Sequence, residues 1–250
     1  MEVKDRMIEI KLDSITNIRD FGGTITKDGR TIKRNKLIRS AHLGKATKED
    51  IEFLEQEHGL RSVVDLRTKR EVHEVPDQYY DLNYLYRPII EAFEDGITHE
   101  KQEVHKMPDL EETYRMIVKD ENYSRNLKTT VETIMDQVSQ GAVLWHCSEG
   151  KDRCGMVSVM MHLLLGVDKQ TIFEDYLFTN KVNIPKAEKI YQEYFDITGD
   201  EEVARSIYKA FIADEKYLRA AFKEMGDHYI EDVLKIDPEK IERFRNELLI

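Results

Sequence analysis

The sequence predicts an α/β protein: a central, mainly parallel sheet flanked by helices, with a further helical layer at its C-terminal end. Up to about Leu165, short apolar runs alternate with helical patterns, the order that builds a parallel sheet covered on both faces. From about Val167 nearly every stretch carries apolar residues three and four apart. A chain of 250 residues that is 40% apolar can also bury a sizeable core, so we expect a single domain over 1–250.

Taken in order, Met7-Ile8-Glu9-Ile10-Lys11-Leu12 alternates as an edge strand does. Asn17-Ile18-Arg19-Asp20-Phe21-Gly22-Gly23 follows, its paired glycines marking a turn. Two alternating runs around Lys27-Asp28-Gly29-Arg30 predict a hairpin, because Asp-Gly suits the tightest turns. Leu37-Ile38-Arg39-Ser40 reads as a strand. Thr47, with Asp50 three residues on, forms a variant capping box for a helix through Glu57 that stops near Gly59. Leu60 to Leu66 reads as a buried strand leading into Asp65-Leu66-Arg67, and Leu82 to Ile90 as another. Residues 91–107 have no clear period and are expected to loop. Pro108 suits a helix start, with helices over 109–119 and 123–139.

Ala142-Val143-Leu144-Trp145 is a short buried strand, and Met156, Val157, Met160, Met161, Leu164 and Leu165 form a helical stripe beyond it. Later patterns are Ile184/Ala187/Ile190/Tyr191/Tyr194, Val203/Ile207/Phe211 and Leu218/Phe222/Met225, then a last helix from Pro238 to the end. Tyr191, Tyr194, Phe211, Phe222 and Met225 keep one-sided helical spacing, so we expect core rather than substrate surface.

A formal charge of -11 argues against nucleic acid as a partner and against adhesion to anionic membranes. No apolar run is long enough for stable membrane insertion, and no apolar leader is visible at the start. The two cysteines, Cys147 and Cys154, flank one loop instead of spreading as a disulfide scaffold would. These features predict a cytoplasmic protein, or a secreted one whose leader has been removed.

Between the apolar strand and the helical stripe lies His146-Cys147-Ser148-Glu149-Gly150-Lys151-Asp152-Arg153. Strand, tight loop and helix start make an anion site, because loop N–H groups converge where the helix dipole is positive. Phosphate or sulfate is expected there, held by Ser148, Glu149, Gly150, Lys151, Asp152 and Arg153. Gly150 supplies backbone freedom, and Arg153 a planar fork for two oxygens. Cys147, near a helix N-terminus and cationic side chains, is expected to attack phosphorus as a thiolate. A leaving oxygen needs a proton, and Asp152 inside the loop is the first candidate acid, with Asp109 and Asp120 as alternatives. His146 is expected to orient the loop through hydrogen bonds.

These residues resemble the bacterial tyrosine phosphatases whose loop reads H-C-x-x-G-K-D-R-T-G, a group that includes secreted phosphatases of mycobacteria and listeria. Asn17 to Gly23 resembles that family's N-x-R-D-x-G-G, Leu37 to Ser40 its L-x-R-S, and Asp65-Leu66-Arg67 its D-L-R. Asp175-Tyr176-Leu177-Phe178-Thr179-Asn180 is similar to its D-Y-L-x-[ST]-N. The resemblance implies a cysteine-phosphatase fold, no metal or other cofactor, and Asp152 as the acid. It implies a phosphoprotein or phosphoinositide substrate, phosphotyrosine first, and helical lids are known in the family. Lys151 then matches a loop lysine that adds charge for more anionic substrates, and Asp65 is expected either to partner it or to form only a structural ion pair.

One position departs from the pattern: Cys154 stands where the family has a hydroxyl that would support the thiolate. A thiol donates weakly, so intermediate breakdown is expected to be slow. Cys154 could otherwise capture an oxidised Cys147 as a disulfide. Two further readings stay open, a phosphate-binding pseudoenzyme and a redox-regulated thiol enzyme.

Overall fold

The computed structural model describes residues 8–91 and 109–250. Two short strands come first, β1 (Ile8–Glu9) and β2 (Arg19–Asp20), followed by β3 (Leu37–Ser40). Helix α1 (Lys48–Glu57) leads to β4 (Leu60–Asp65), and α2 (Lys69–Glu74) to β5 (Asn83–Tyr86). Then come α3 (Leu110–Lys119), α4 (Glu121–Gln137), β6 (Ala142–His146) and α5 (Asp152–Leu165). The sheet order is β1-β2-β3-β6-β4-β5. Its four later strands are parallel, while β1 and β2 add an antiparallel edge.

Side chains alternate across the pleat into two cores. Leu37, Val64, Val143 and Trp145 join one, beneath Ile117 of α3, Leu127 and Val131 of α4, and the apolar side of α5. Ile38, Val63 and Leu144 join the other, with Ile51 and Leu54 of α1. Helix α5 is buried on nearly every side, which its run of Met, Val and Leu requires.

The helical layer follows as α6 (Lys169–Phe178), α7 (Asn180–Thr198), α8 (Glu201–Phe211), α9 (Glu215–Met225) and α10 (Pro238–Leu248). Helices α7 and α8 enclose a small core of their own, Ala187, Ile190, Ile207 and Phe211. Of the five tail residues expected in the core, Phe211 and Met225 are buried, while Tyr191, Tyr194 and Phe222 are half-buried. After α10 the chain returns to the N-terminal hairpin, where Thr31 N donates to Ile250 O and Ile250 N to Thr31 O.

Several boundaries differ from the sequence reading. The last helix stops at Leu248, because Leu249 bridges to Ile32 in extended conformation. Helix α4 starts at Glu121, where Asp120 accepts from the amides of Asn122 and Tyr123. The strand expected over Leu82 to Ile90 shrinks to Asn83–Tyr86. Helix α2 went unpredicted: Lys-Arg-Glu-Val-His-Glu has a single apolar residue and hence no period. The Thr47–Asp50 capping box is present, and Thr26 N donates to Arg30 O across the Asp28-Gly29 turn. Pro108 and residues 92–107 of the expected loop lie outside the described residues.

A core histidine in α5 adds a pH dependence. His162 of α5 stacks on Phe21 at 4.2 Å, and burial pushes its imidazole down to about 4. The unfolded chain therefore binds the proton more tightly, so stability is present above the ordinary 6.5 and is lost as pH falls towards about 4. We expect an acid loss on the order of 2 kcal/mol from this group. Denaturant melts at pH 7 and pH 4.5 check it, and His162→Gln should lose less between the two; an unchanged loss refutes the assignment.

Candidate active site

Strand register assembles the site. Ser40 pairs with His146, and His146 with Asp65, so three strand ends stand in one row. The loop leaves the central strand of that row and enters the N-terminus of α5. In such sheets ligands bind at the carboxyl ends of the strands.

Four outward bonds from three residues shape the loop. His42 N donates to Ser148 O at 3.3 Å. Asn17 Nδ2 donates to Glu149 O and Gly150 O at 3.0 Å each. Arg39 Nη2 donates to Gly150 O at 2.7 Å. In a trans peptide the carbonyl and the next N–H point to opposite sides. Tying these carbonyls outward therefore turns the amides of Glu149, Gly150 and Lys151 inward, as an anion cradle requires. Gly150 has a φ of 66°, and a Cβ there would lie 2.6 Å from Ser40 O, so both conformation and space demand glycine.

Behind the loop, Asp175 accepts from Arg19 Nε at 2.7 Å and from Arg39 Nη1 at 2.6 Å. Burial alone would raise its carboxyl, but the two guanidiniums hold it well below the usual range. The motifs around Asn17, Arg39 and Asp175 thus meet on the loop's outer side.

Arg153 is held by a residue the sequence reading missed. Glu71, the N3 residue of α2, accepts from Arg153 Nη1 at 2.5 Å and from Nη2 at 2.7 Å. It also accepts from Ser148 Oγ at 2.5 Å and from Thr68 N at 2.8 Å. Thr-x-x-Glu is a capping box, the one signal in the sequence that could have marked it. Glu71 takes the end-on edge of the guanidinium. Arg153 Nε, buried and without a protein partner, belongs to the other edge. A planar fork can thus face a carboxylate on one side and a phosphoryl group on the other.

Asp152 is nearly buried, and the Tyr114 hydroxyl donates to its Oδ1 at 2.8 Å. That hydroxyl also lies 2.9 Å from Tyr176 of α6. Tyr114 had no sequence signal beyond its helical position, whereas Tyr176 stands in the Asp175 to Asn180 motif. Asp109 and Asp120, the alternative acids, cap α3 and α4 through their own side chains.

Asp65 takes the second of its two expected roles, the structural ion pair: it binds Arg67 Nη2 at 2.8 Å and accepts from Tyr84 Oη at 2.8 Å. The Lys151 ammonium turns instead to the carbonyls of Ala210 and Ile212 and to Asp152. The Cys154 thiol, which burial pushes up to about 12, faces the carbonyls of Trp145 at 3.6 Å and Ser40 at 3.8 Å. Both cysteines are free.

His146, at the foot of the loop, has Nδ1 3.3 Å from Cys147 O and Nε2 3.0 Å from Asp77 Oδ2. Burial lowers its pKa, yet the carboxylates of Asp77 and Asp65 outweigh this and raise it. Asp65, Asp77 and His146 bring ligand atoms within 4.8 Å of one another. The guanidinium of Arg67 already bonds both carboxylates, so a metal ion would have to displace a buried cation there.

Comparison with known proteins follows the same lines. The model of the "tyrosine phosphatase family" matches residues 10–250. A putative tyrosine-protein phosphatase of Cupriavidus necator is 24% identical over 237 residues, 92% of this chain and 85% of that one. The triple specificity protein phosphatase PtpB of Mycobacterium tuberculosis is 26% identical over 258 residues, 88% of this chain and 89% of its own. Among solved structures, P. aeruginosa TpbA aligns with a TM-score of 0.37 and 16% identity, covering 86% of this chain and 96% of that one.

The Glu71 clamp predicts an acid limb. Burial raises its carboxyl, but Arg153 overrides this and brings it to about 2, from an ordinary 4.5. Its contribution is present above 4.5 and is lost as pH falls towards about 2. We expect Glu71→Gln to cost about 1–3 kcal/mol at pH 7 and to flatten that limb. Urea melts at pH 7, 4 and 3 check this; parallel acid slopes in both proteins would sink it.

Proposed function

The chain belongs to the tyrosine phosphatase family, and on that premise we propose that Cys147, Asp152 and Arg153 hydrolyse phosphate monoesters through a cysteinyl-phosphate intermediate. The observation that carries the reading is the paired state of Arg153: Glu71 holds one edge, and the buried Nε edge is left for the loop. Arg153 and the inward amides of Glu149, Gly150 and Lys151 bind the three equatorial oxygens, over which the charge of a metaphosphate-like transition state spreads.

Cys147 Sγ attacks phosphorus while the phosphorus–oxygen bond to the leaving group breaks. Asp152 gives its proton to the departing oxygen. Water then attacks the thiophosphate, Asp152 takes a proton back, and phosphate and the Cys147 sulfur are released. His146 and Arg67 support the loop from the sheet, and Cys154 packs beneath it.

Phosphotyrosine is the first substrate in this reading, with phosphoserine, phosphothreonine and phosphoinositides after it. The triple-specificity name of the mycobacterial relative supports that breadth. We read residues 1–250 as one phosphatase domain, supported by the family match and by the bonds between Thr31 and Ile250. Among the described residues no helix is long and apolar enough to cross a membrane. Free buried cysteines support a cytoplasmic setting.

Two variants test the roles. Cys147→Ser should abolish turnover of para-nitrophenyl phosphate while still binding inorganic phosphate; if the wild type shows no turnover, a phosphate-binding pseudoenzyme is the better reading. Asp152→Asn should lose about 10²–10⁴-fold on an alkyl phosphate and less on a phenyl one, because the poorer leaving group needs the proton more. Equal losses on both would remove Asp152 as the acid.

A further inference from the structure

Resting on Asp152 as the acid, we propose that Lys151 is a positioning residue: it sets the Asp152 carboxylate from the C-terminal end of α8 and does not bind substrate as a free cation. An ammonium has three N–H donors. The Lys151 side chain is fully buried. It donates to Ala210 O and to Ile212 O at 3.2 Å, and its Nζ stands 3.4 Å from Asp152 Oδ1 as an ion pair. The ammonium is thus turned to protein oxygens and is not a free cation facing a second phosphate.

The acceptors explain why the arrangement holds. Ala210 lies in the last turn of α8 and Ile212 is its C-cap, so neither carbonyl has an intrahelical amide to accept from. A helix C-terminus also carries partial negative charge, which favours a cation there. The α8–α9 connection is itself pinned from α7. Asn183 Nδ2 donates to Phe211 O at 2.9 Å, Asn180 Nδ2 to Ala213 O at 2.8 Å, and Ala213 N to Asn180 Oδ1 at 2.7 Å. Asp152 is thus fixed between a phenol on α3 and an ammonium moored to α8.

Two consequences follow for the reaction. Loss of the Lys151 charge should disturb proton delivery rather than phosphate capture, which rests on Arg153 and the loop amides. Selectivity for ligands with several phosphates should not come from Lys151, so the loop addresses one phosphoryl group at a time.

The test uses the full chain and Lys151→Met, which keeps length and removes charge. Rates would be measured on para-nitrophenyl phosphate and on a phosphoserine peptide, with inorganic phosphate and an inositol bisphosphate as inhibitors. We expect the peptide rate to fall about ten-fold further than the aryl rate, with both inhibition constants within about three-fold of wild type. In an Asp152→Asn background Lys151→Met should add little, because the two act as one unit. Asn183→Ala, which loosens only the α8–α9 connection, should reproduce the leaving-group bias at smaller size and carries the test if Lys151→Met does not fold. Equal rate losses on both substrates, with bisphosphate inhibition weakened about ten-fold more than phosphate inhibition, would overturn the proposal. Turnover that survives Cys147→Ser would instead refute the phosphatase reading beneath it.

Discussion

The loop keeps its shape because one buried carboxylate, Asp175, holds two guanidiniums that would otherwise repel each other. Arg19 and Arg39 are almost inaccessible to water, and each lies on a different strand. Burying either cation without a partner would cost several kcal/mol, so the Asp175 carboxylate is what permits them to stand side by side. Arg39 then has Nη2 to spare for Gly150 O, the bond that turns the Lys151 amide inward. Arg19 uses Nη1 to hold Asn17 Oδ1 at 2.5 Å, freeing Asn17 Nδ2 for the loop's other carbonyls. Removing Asp175 would thus strand two buried charges and slacken the cradle together.

The same division of labour recurs around the site. Arg67 is shared between Asp65 and Asp77, Arg153 is gripped by Glu71, and Lys151 meets Asp152. Each cation spends one part of its donor set on a carboxylate and another on backbone or ligand. Arginine can do this because its five N–H groups lie along separate edges of one plane. Lysine presents its donors from a single point, and here two carbonyls and the Asp152 carboxylate surround it. That difference in geometry, more than formal charge, separates the roles of Arg153 and Lys151 although they stand two residues apart.

Legibility in the sequence follows the range of the interaction. The strand Ala142–His146, the loop and α5 were readable, since apolar run, turn glycine and helical stripe are local signals. The Thr47–Asp50 cap was readable for the same reason. Glu71, Asp77, Tyr114 and the true partners of Lys151 were not, because they come from elements brought together only by sheet register and helix packing. Helix α2 shows the limit most plainly. Nothing in Lys-Arg-Glu-Val-His-Glu announces a helix beyond its capping box, yet its N3 carboxylate is what the loop arginine binds. Asp65 was placed at a strand end with two roles open, and Arg67, two residues away, decides for the structural ion pair by reaching it first.

Position 154 illustrates why a motif departure must be read in its surroundings. As a hydroxyl, this side chain would be a strong donor. As a buried thiol raised to about 12, it is a poor nucleophile and directs its weak S–H at the carbonyls of Ser40 and Trp145. A thiol kept protonated in this way is a slow resolving partner for an oxidised Cys147, because exchange proceeds through the thiolate. The Cys154 backbone is tied into the first turn of α5, where Trp145 Nε1 lies 3.4 Å from Cys154 O and 3.3 Å from Ser158 Oγ. The indole, strand end and helix start are joined there in one buried layer, so position 154 ties the strand that precedes the loop to the helix that follows it.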